Sequence, residues 1–321
     1  MNKIIYVTGC LGFIGSYVTE ALLKNGDYII GVDKMTYASQ PKSLIEFNKY
    51  GNHFKFIKSD INDLKFLYQC DYVINTAAET HVDNSIISSD EFLHSNINGV
   101  HHLLELIRQK SYNGMPTLLH FSTDEVYGDI KEGSHTETDL LKPSNPYSAT
   151  KAAADMLITA WGRTFKVPYI IVRPTNNYGI GQYVEKLIPK ACKFIQLGKK
   201  VPLHNNGTPK RIWLHAQDTA DAIITIIEFG VKNEIYNISG NTEVSNKEIV
   251  EKIIKLFRGE PGLYNLYDID SFCDFSCTRD GQDVRYSLDD SKLRSLGWKN
   301  KCELDKELPN IVKYYQNNFI W

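Results

Sequence analysis

Apolar runs rich in β-branched residues recur through the first half of the chain, at residues 4–8, 28–32, 54–58, 72–75, 117–121 and 169–172. Most are short and continuous rather than alternating, as expected of strands covered on both faces, with lysines interrupting the run at 54–58. Between them, residues 16–24, 91–109 and the stretch holding Tyr147 and Lys151 carry helical periodicity, with Asn96 and Asn98 on the first turns of the second. One of these two amides is expected to position other groups and the other to face solvent. Alternating strands and helices predict an α/β protein with a parallel, doubly wound sheet. Residues 132–146 read as a polar, Pro-containing loop, and Arg173-Pro174-Thr175-Asn176-Asn177-Tyr178-Gly179 as a turn-rich break.

Beyond that break the pattern changes. Helices are predicted over 184–197, 217–228, 245–257 and 304–315, a strand over 234–238, and a charged loop with a short strand over 278–286. The expected division is a first domain over residues 1–175, with a returning segment near 212–240. A smaller, interleaved C-terminal domain over 176–321 would carry the substrate. No internal repeat or low-complexity segment interrupts this scheme.

Composition narrows the function classes. A chain of 321 residues suits two domains or one elaborated domain on a prior of roughly 150 residues each. The balance of 36 basic and 38 acidic residues argues against a broad nucleic-acid-binding surface. Six cysteines, at 10, 70, 192, 273, 277 and 302, form no CxxC pair and read as reduced thiols, with no metal site expected. No run approaches the ~18 apolar residues of a membrane span. Met1-Asn2-Lys3 leads directly into the first strand, so a cytoplasmic protein without a leader is the expectation. The sequons at Asn206 and Asn237 then read as chance matches.

The first strand enters Gly9-x-x-Gly12-x-x-Gly15, with Phe13 and Ile14 inside the turn and a helix after it. Glycines there permit a tight turn, a close backbone approach to a pyrophosphate and close helix packing, while the helix N-terminus offers amides to the anion. This is a Rossmann-like nucleotide site. Asp33 ends the second strand 18 residues beyond Gly15, near the ~20 expected of a ribose-binding acid. It favours NAD over NADP, although the adjacent Lys34 weakens that discrimination. Asp60-Ile61 follows the third strand, where a carboxylate reaches an adenine amino group. After the fourth strand, Ala77-Ala78-Glu79-Thr80-His81-Val82-Asp83 offers small residues against which a cofactor can lie. His81 and Asp83 lack metal partners at usable spacing, so hydrogen bonding or structure is their expected role.

The chemistry centres on Ser122-Thr123-Asp124-Glu125-Val126-Tyr127-Gly128, at the C-terminal end of a strand, where open α/β sheets bind ligands. Tyr147 and Lys151 stand at i and i+4 and share a helical face. A lysine ammonium and a cationic nicotinamide would both lower the phenol from ~10, making Tyr147 a base for alcohol oxidation, with Thr123 bonding the same oxygen. Paired carboxyls split their titration, one ionised and one protonated, as elimination beside a new ketone requires. Their alternative role is to start a loop or cap a helix. Lys186, Lys199, Lys200, Lys210 and Arg211 are candidates for a diphosphate, and surface lysines are the competing reading.

Together the Gly9 to Gly15 turn, the Ala77 to Asp83 segment, Ser122 to Gly128, Tyr147 to Lys151, Asn176-Asn177-Tyr178-Gly179, Glu185-Lys186-Leu187-Ile188-Pro189, Arg211-Ile212-Trp213 and Gly281 to Tyr286 resemble an extended short-chain dehydrogenase of the dTDP-glucose 4,6-dehydratase family. The resemblance implies that Tyr147 is the base for O4 oxidation, tuned by Lys151 and assisted by Thr123. It implies that Glu125 removes the C5 proton and Asp124 protonates the departing C6 hydroxyl. It assigns Gly9, Gly12, Phe13, Ile14, Gly15, Asp33, Lys34, Asp60, Ile61, Ala77, Ala78, Thr80, Tyr147 and Lys151 to NAD. Thr80, Asn177, Lys186, Arg211, Asn246 and Arg279 fall to a nucleotide-diphosphate sugar, and a homodimer is implied. Departures gather in the substrate half: Tyr183-Val184-Glu185-Lys186 replaces the usual Phe-Pro-Glu-Lys, Asp280-Gly281-Gln282-Asp283 the usual Pro-Gly-His-Asp, and Arg211-Ile212-Trp213 the usual Arg-Asp-Trp. UDP-glucose, dTDP-glucose and UDP-N-acetylglucosamine therefore all stay open as substrates. Glu125 stands where 5-inverting relatives carry Lys, which argues against that subfamily without excluding C5 inversion. A nucleotide-sugar 4-epimerase and a non-catalytic NAD-binding protein are the rival readings.

Overall fold

The computed structural model describes residues 2–110, 114–258 and 269–318. β1 (Ile4–Thr8) turns into α1 (Phe13–Lys24), followed by β2 (Tyr28–Asp33), α2 (Pro41–Asn48), β3 (Phe54–Lys58) and β4 (Tyr72–Asn75). α3 (Val82–Ile87) and α4 (Asp90–Phe92) then lead through a π-helical stretch, Leu93–Asn98, into α5 (Gly99–Arg108). The helix expected over 91–109 thus forms with a widened segment, a feature that often marks a functional residue. It brings Asn96 to complete burial, where its amide bonds Glu79 at both N and O and donates to Thr150 Oγ1. Asn98 faces solvent.

β5 (Thr117–Phe121), α6 (Pro146–Phe165) and β6 (Tyr169–Pro174) continue the alternation. β5 is buried along its whole length, which explains its uninterrupted apolar run. The chain then passes through β7 (Asn176–Tyr178), α7 (Leu187–Gln196), β8 (Val201–Pro202), β9 (Lys210–His215), α8 (Ala216–Phe229) and β10 (Glu234–Ile238). It ends through β11 (Thr242–Ser245), α9 (Asn246–Arg258), β12 (Cys273–Asp274), α10 (Ser291–Arg294) and α11 (Leu304–Asn317).

Seven strands form one parallel sheet in the order β10-β6-β5-β4-β1-β2-β3. Strand order reverses between β1 and β4, and a crevice opens at their C-terminal ends. One face of the sheet packs against apolar residues of α1 and α8, such as Val18, Leu22, Ile223 and Ile226. The other packs against α5 and α6 through Val100, Leu103, Leu104, Ala154 and Ile158. A second core gathers residues of α7, α9 and α11, beside a three-stranded sheet of order β11-β9-β7. Among the described residues, no helix is long and apolar enough to cross a membrane.

Three local expectations are corrected. The turn-rich break after β6 contains β7, because Asn176, Asn177 and Tyr178 pair in parallel with Trp213, Leu214 and His215 of a strand far along the chain. α7 starts at Leu187, since Lys186 has extended backbone (φ −84°, ψ 155°) and keeps the preceding residues in a loop over the crevice. The short strand expected within 278–286 is one isolated bridge, Arg285 to Lys210.

Candidate active site

The Gly9 turn fills the crevice at the point of strand reversal. Gly9 has φ +71°, and a Cβ there would lie 2.7 Å from the Ala77 amide nitrogen. At Gly15 a Cβ would lie 2.0 Å from the Gly9 carbonyl oxygen, so only glycine lets α1 start this close to the turn. Asp33, at the end of β2, accepts from Leu11 N (3.0 Å), Met35 N (2.7 Å) and Ser39 Oγ (2.9 Å). Its carboxylate thus braces the turn as well as facing the groove. Lys34 Nζ lies 3.5 Å from Asp60 and 3.9 Å from Glu79, which draw its charge toward the groove rim.

Fourteen expected cofactor positions divide by depth. Gly9, Gly12, Phe13, Ile14, Gly15, Asp33, Lys34, Asp60, Ile61, Ala77, Ala78, Thr80 and Tyr147 all line one groove of about 1500 Å³, open to solvent, and Thr123, Asp124 and Glu125 line it too. Lys151 does not. It is 2% exposed and lies beneath the groove, its Nζ 3.3 Å from His120 Nε2. The phenol and both carboxyls therefore face the groove, while the ammonium lies buried below them.

At the end of β5 the chain enters a 3-10 turn, Asp124–Tyr127, capped by Thr123 Oγ1 accepting from the Glu125 amide (3.3 Å). The same hydroxyl donates to Asp124 Oδ1 (3.2 Å), while Asp124 Oδ2 is buried without a partner. Burial, reinforced by the Glu125 charge and opposed by Arg211, pushes the Asp124 carboxyl up to about 7. Asp124 therefore holds a proton near neutral pH that an ordinary aspartate has lost. Glu125 is half-buried and accepts from Asn145 Nδ2 (3.2 Å).

Asn145 also begins α6. Its Oδ1 accepts from Ser148 N (2.9 Å), Ser148 Oγ lies 3.3 Å from the Asn145 amide, and Pro146 opens the helix. This capping box fixes the first turn, which carries Tyr147. Burial first, then the Glu125 and Asp124 charges, raise the Tyr147 phenol above its ordinary range, against the Thr123 hydroxyl. Lys151 is not among the groups that lower it. Burial brings the lysine down to about 8, and Asp155 opposes that fall. The protein's own groups hold Tyr147 protonated, and a lowered phenol requires a cation in the groove itself.

A second groove of about 1060 Å³ meets the first. Thr80, Asn177, Lys186, Arg211, Asn246 and Arg279 all line it, and Glu125, Thr80, Asn177 and Lys186 line both grooves. Lys186 Nζ donates to Thr80 O (2.9 Å) and Oγ1 (3.1 Å), tying the loop before α7 to the segment after β4. Arg279 forms a fork with Asp83 (2.5 and 2.9 Å), which lowers that carboxyl despite its burial. Arg211 donates to the carbonyls of Lys210 (2.7 Å) and Asp283 (3.1 Å) and lies 4.3 Å above the Tyr286 ring. The Asn177 amide is committed to Thr175 O (2.9 Å) and Thr219 Oγ1 (2.6 Å). Lys199 and Lys200 line neither groove and are exposed.

Asn145 and His120 are absent from the expectations drawn from sequence. Asn before Pro-Tyr at a helix start was a usable signal for the first. A histidine inside an apolar strand reads as core, and only the fold brings His120 onto Lys151.

The GDP-mannose 4,6 dehydratase family profile matches residues 6–310. A dTDP-glucose 4,6-dehydratase of Haemophilus influenzae is 38% identical, over 98% of each chain. A trifunctional UDP-glucose 4,6-dehydratase/UDP-4-keto-6-deoxy-D-glucose 3,5-epimerase/UDP-4-keto-L-rhamnose-reductase of Arabidopsis thaliana is 39% identical over 99% of this chain, which spans 48% of that relative's length. Among solved structures, DesIV, a dTDP-glucose 4,6-dehydratase from Streptomyces venezuelae crystallised with NAD and TYD bound, superposes with a TM-score of 0.90 at 33% identity, covering 98% of this chain and 97% of that one. With the glycine turn, the Thr123-Asp124-Glu125 segment and Tyr147 assembled at one crevice, these matches make the chain a member of the nucleotide-sugar 4,6-dehydratase family of extended short-chain dehydrogenases.

Proposed function

We propose that the protein is an NAD-dependent nucleotide-sugar 4,6-dehydratase, converting an NDP-hexose to the 4-keto-6-deoxy sugar nucleotide with loss of water. The observation that carries this reading is the meeting of two grooves at Glu125, with Asp124 and Tyr147 beside it. A 4-epimerase needs Tyr147 and a nucleotide site but gives a buried, protonated Asp124 no task.

The first groove fits NAD. The Gly9 and Gly15 cradle would be filled by any Cβ, α1 begins without an acidic residue in its first turn, and Asp33 is turned toward the groove at the end of β2. Gly9, Gly12 and Gly15 would face the pyrophosphate, Asp33 the ribose, and Asp60 with Ile61 the adenine. Bound there, NAD supplies the uptake of hydride from C4 and its return at C6. With the positive charge of bound NAD beside it to bring the phenol down, Tyr147 Oη would stand as a phenolate able to receive the proton of the C4 hydroxyl, with Thr123 Oγ1 as its hydrogen-bond partner. Glu125, steadied by Asn145, takes the C5 proton, whose acidity the C4 ketone raises. Asp124 delivers its proton to the departing C6 hydroxyl, and its burial keeps that proton available near neutral pH. Thr80, Lys186, Arg211, Asn246 and Arg279 would hold the nucleotide diphosphate in the second groove, Arg211 and Arg279 as forks for phosphate oxygens.

UDP-glucose, dTDP-glucose and UDP-N-acetylglucosamine are the donors to test. Incubation of the purified protein with each, followed by mass, is expected to show loss of water from one of them. Unchanged mass with a 4-epimeric product would favour the epimerase instead. A homodimer and a cytoplasmic place of work belong to the same proposal and rest on the family resemblance. Light scattering at working concentration tests the dimer.

A further inference from the structure

Below the groove, a line of buried polar groups crosses the sheet from β1 to α6. Thr8 Oγ1 lies 2.6 Å from Asn75 Oδ1, Asn75 Nδ2 lies 3.1 Å from His120 Nδ1, and His120 Nε2 lies 3.3 Å from Lys151 Nζ. Thr8, Asn75 and His120 are at most 1% exposed. Nothing in the proposed chemistry uses the imidazole, yet it is a direct neighbour of the lysine placed under Tyr147.

We infer that His120 is a positioning residue for the C4 oxidation: its neutral ring holds the Lys151 ammonium beneath Tyr147, and the ring proton changes nitrogen when Lys151 gains or loses its charge. The inference rests on the oxidation role given to Tyr147 above. His120 and Asp155 act directly on the lysine, and Tyr147 and Arg173 are the further charged or titratable groups on the elements around it. Tyr147 and Asp155 come from its own helix and His120 from β5, while Arg173 of β6 is bonded to Asp155 Oδ2 through Nε (3.0 Å) and Nη2 (2.9 Å). Burial and the Lys151 charge keep the imidazole well below its usual titration range, so the ring carries a single proton.

One proton and two neighbours leave two consistent arrangements. An ammonium has no lone pair, so beside charged Lys151 the His120 Nε2 must accept and the proton must sit on Nδ1. Nδ1 then donates, which requires Asn75 to present its oxygen to the ring and its amide nitrogen to Thr8 Oγ1. That hydroxyl accepts as readily as it donates. Beside a neutral amine the order reverses: Nε2 donates to Nζ and Nδ1 accepts from Asn75 Nδ2. The Thr8–Asn75–His120 line therefore follows the charge of Lys151 by reversing the Asn75 amide and turning the Thr8 hydroxyl from donor to acceptor. A leucine at 120 would leave the ammonium with one hydrogen-bond partner fewer in a site that offers no water-facing alternative.

The test is nitrogen NMR of the holoenzyme labelled at histidine, with the His120 signals assigned by their loss in His120→Gln. The expected result is the Nδ1–H form below the titration of Lys151, set near about 8, and the Nε2–H form above it. The same tautomer on both sides, or a doubly protonated ring near neutral pH, would overturn the inference. In kinetics, His120→Leu is expected to lower kcat about tenfold to hundredfold with KM within about twofold, and His120→Gln, which keeps an acceptor, to recover most of it. Equal loss in both variants, or a loss confined to KM, would also overturn it. A wild-type enzyme inactive on every donor would refute the dehydratase reading, and the tautomer measurement would still decide this one.

Discussion

Asp124 keeps one carboxylate oxygen buried without a partner, and this local cost is what equips it as an acid. The folded protein holds a proton at Asp124 that the unfolded chain releases above its ordinary value near ~3.9. Proton binding by the folded state alone means that stability falls as pH rises from about 4 to about 7. Replacement by a neutral isostere removes that dependence. Asp124→Asn should therefore melt higher than wild type at pH 8, by an amount bounded on the order of 4 kcal/mol, while losing dehydration. A lower melting temperature at that pH would refute the burial argument. Turnover of the wild type should decline as pH rises through about 7, because the acid loses its proton there. At the same scale, Tyr147→Phe should cut turnover by about 10²–10⁴-fold and leave the bound dinucleotide in place, measured by its release on denaturation.

At the scale of elements, α6 links folding to chemistry. Asn145 both caps the helix and steadies Glu125, so Asn145→Ala should cost about 1 kcal/mol of stability and also lower kcat. Asn145→Ser keeps the cap and not the reach to Glu125, and should restore the melting temperature without restoring turnover. The glycine turn makes the complementary case. Gly15→Ala puts a Cβ 2.0 Å from the Gly9 oxygen, so the protein should purify with little or no bound dinucleotide. Full retention would show that the turn yields more easily than its backbone packing implies.

The elements of the large sheet were readable from sequence for a physical reason. Parallel strands buried on both faces are continuous apolar runs, and residues 4–8, 72–75 and 117–121 carry that signal clearly, while the edge strands at 54–58 and 234–238 are more mixed. β7 was not readable, because Asn176-Asn177-Tyr178 has turn composition and becomes a strand only by pairing with residues 213–215. Motif spacing likewise indicated Asp124, Glu125 and Tyr147, whose positions depend on adjacent strand and helix ends. The depth of Lys151 and its contact with His120 depend on how α6 lies on β5, which no local pattern encodes.

For the whole molecule, the two grooves divide the work. Residues of the large sheet form one and residues around β9, α9 and the 278–286 loop help form the other, with Glu125 and Lys186 at their junction. Arg279→Ala releases Asp83 into the second groove and should raise KM several-fold more than it lowers kcat, since it acts away from Asp124 and Tyr147. The most direct test of the central claim uses the preferred donor in deuterated water without added cofactor, followed by mass and proton NMR. Loss of water with deuterium at C5 is predicted, and the C5 stereochemistry will report whether inversion accompanies it. A product of unchanged mass, or dehydration without deuterium at C5, would contradict the roles given to Asp124 and Glu125.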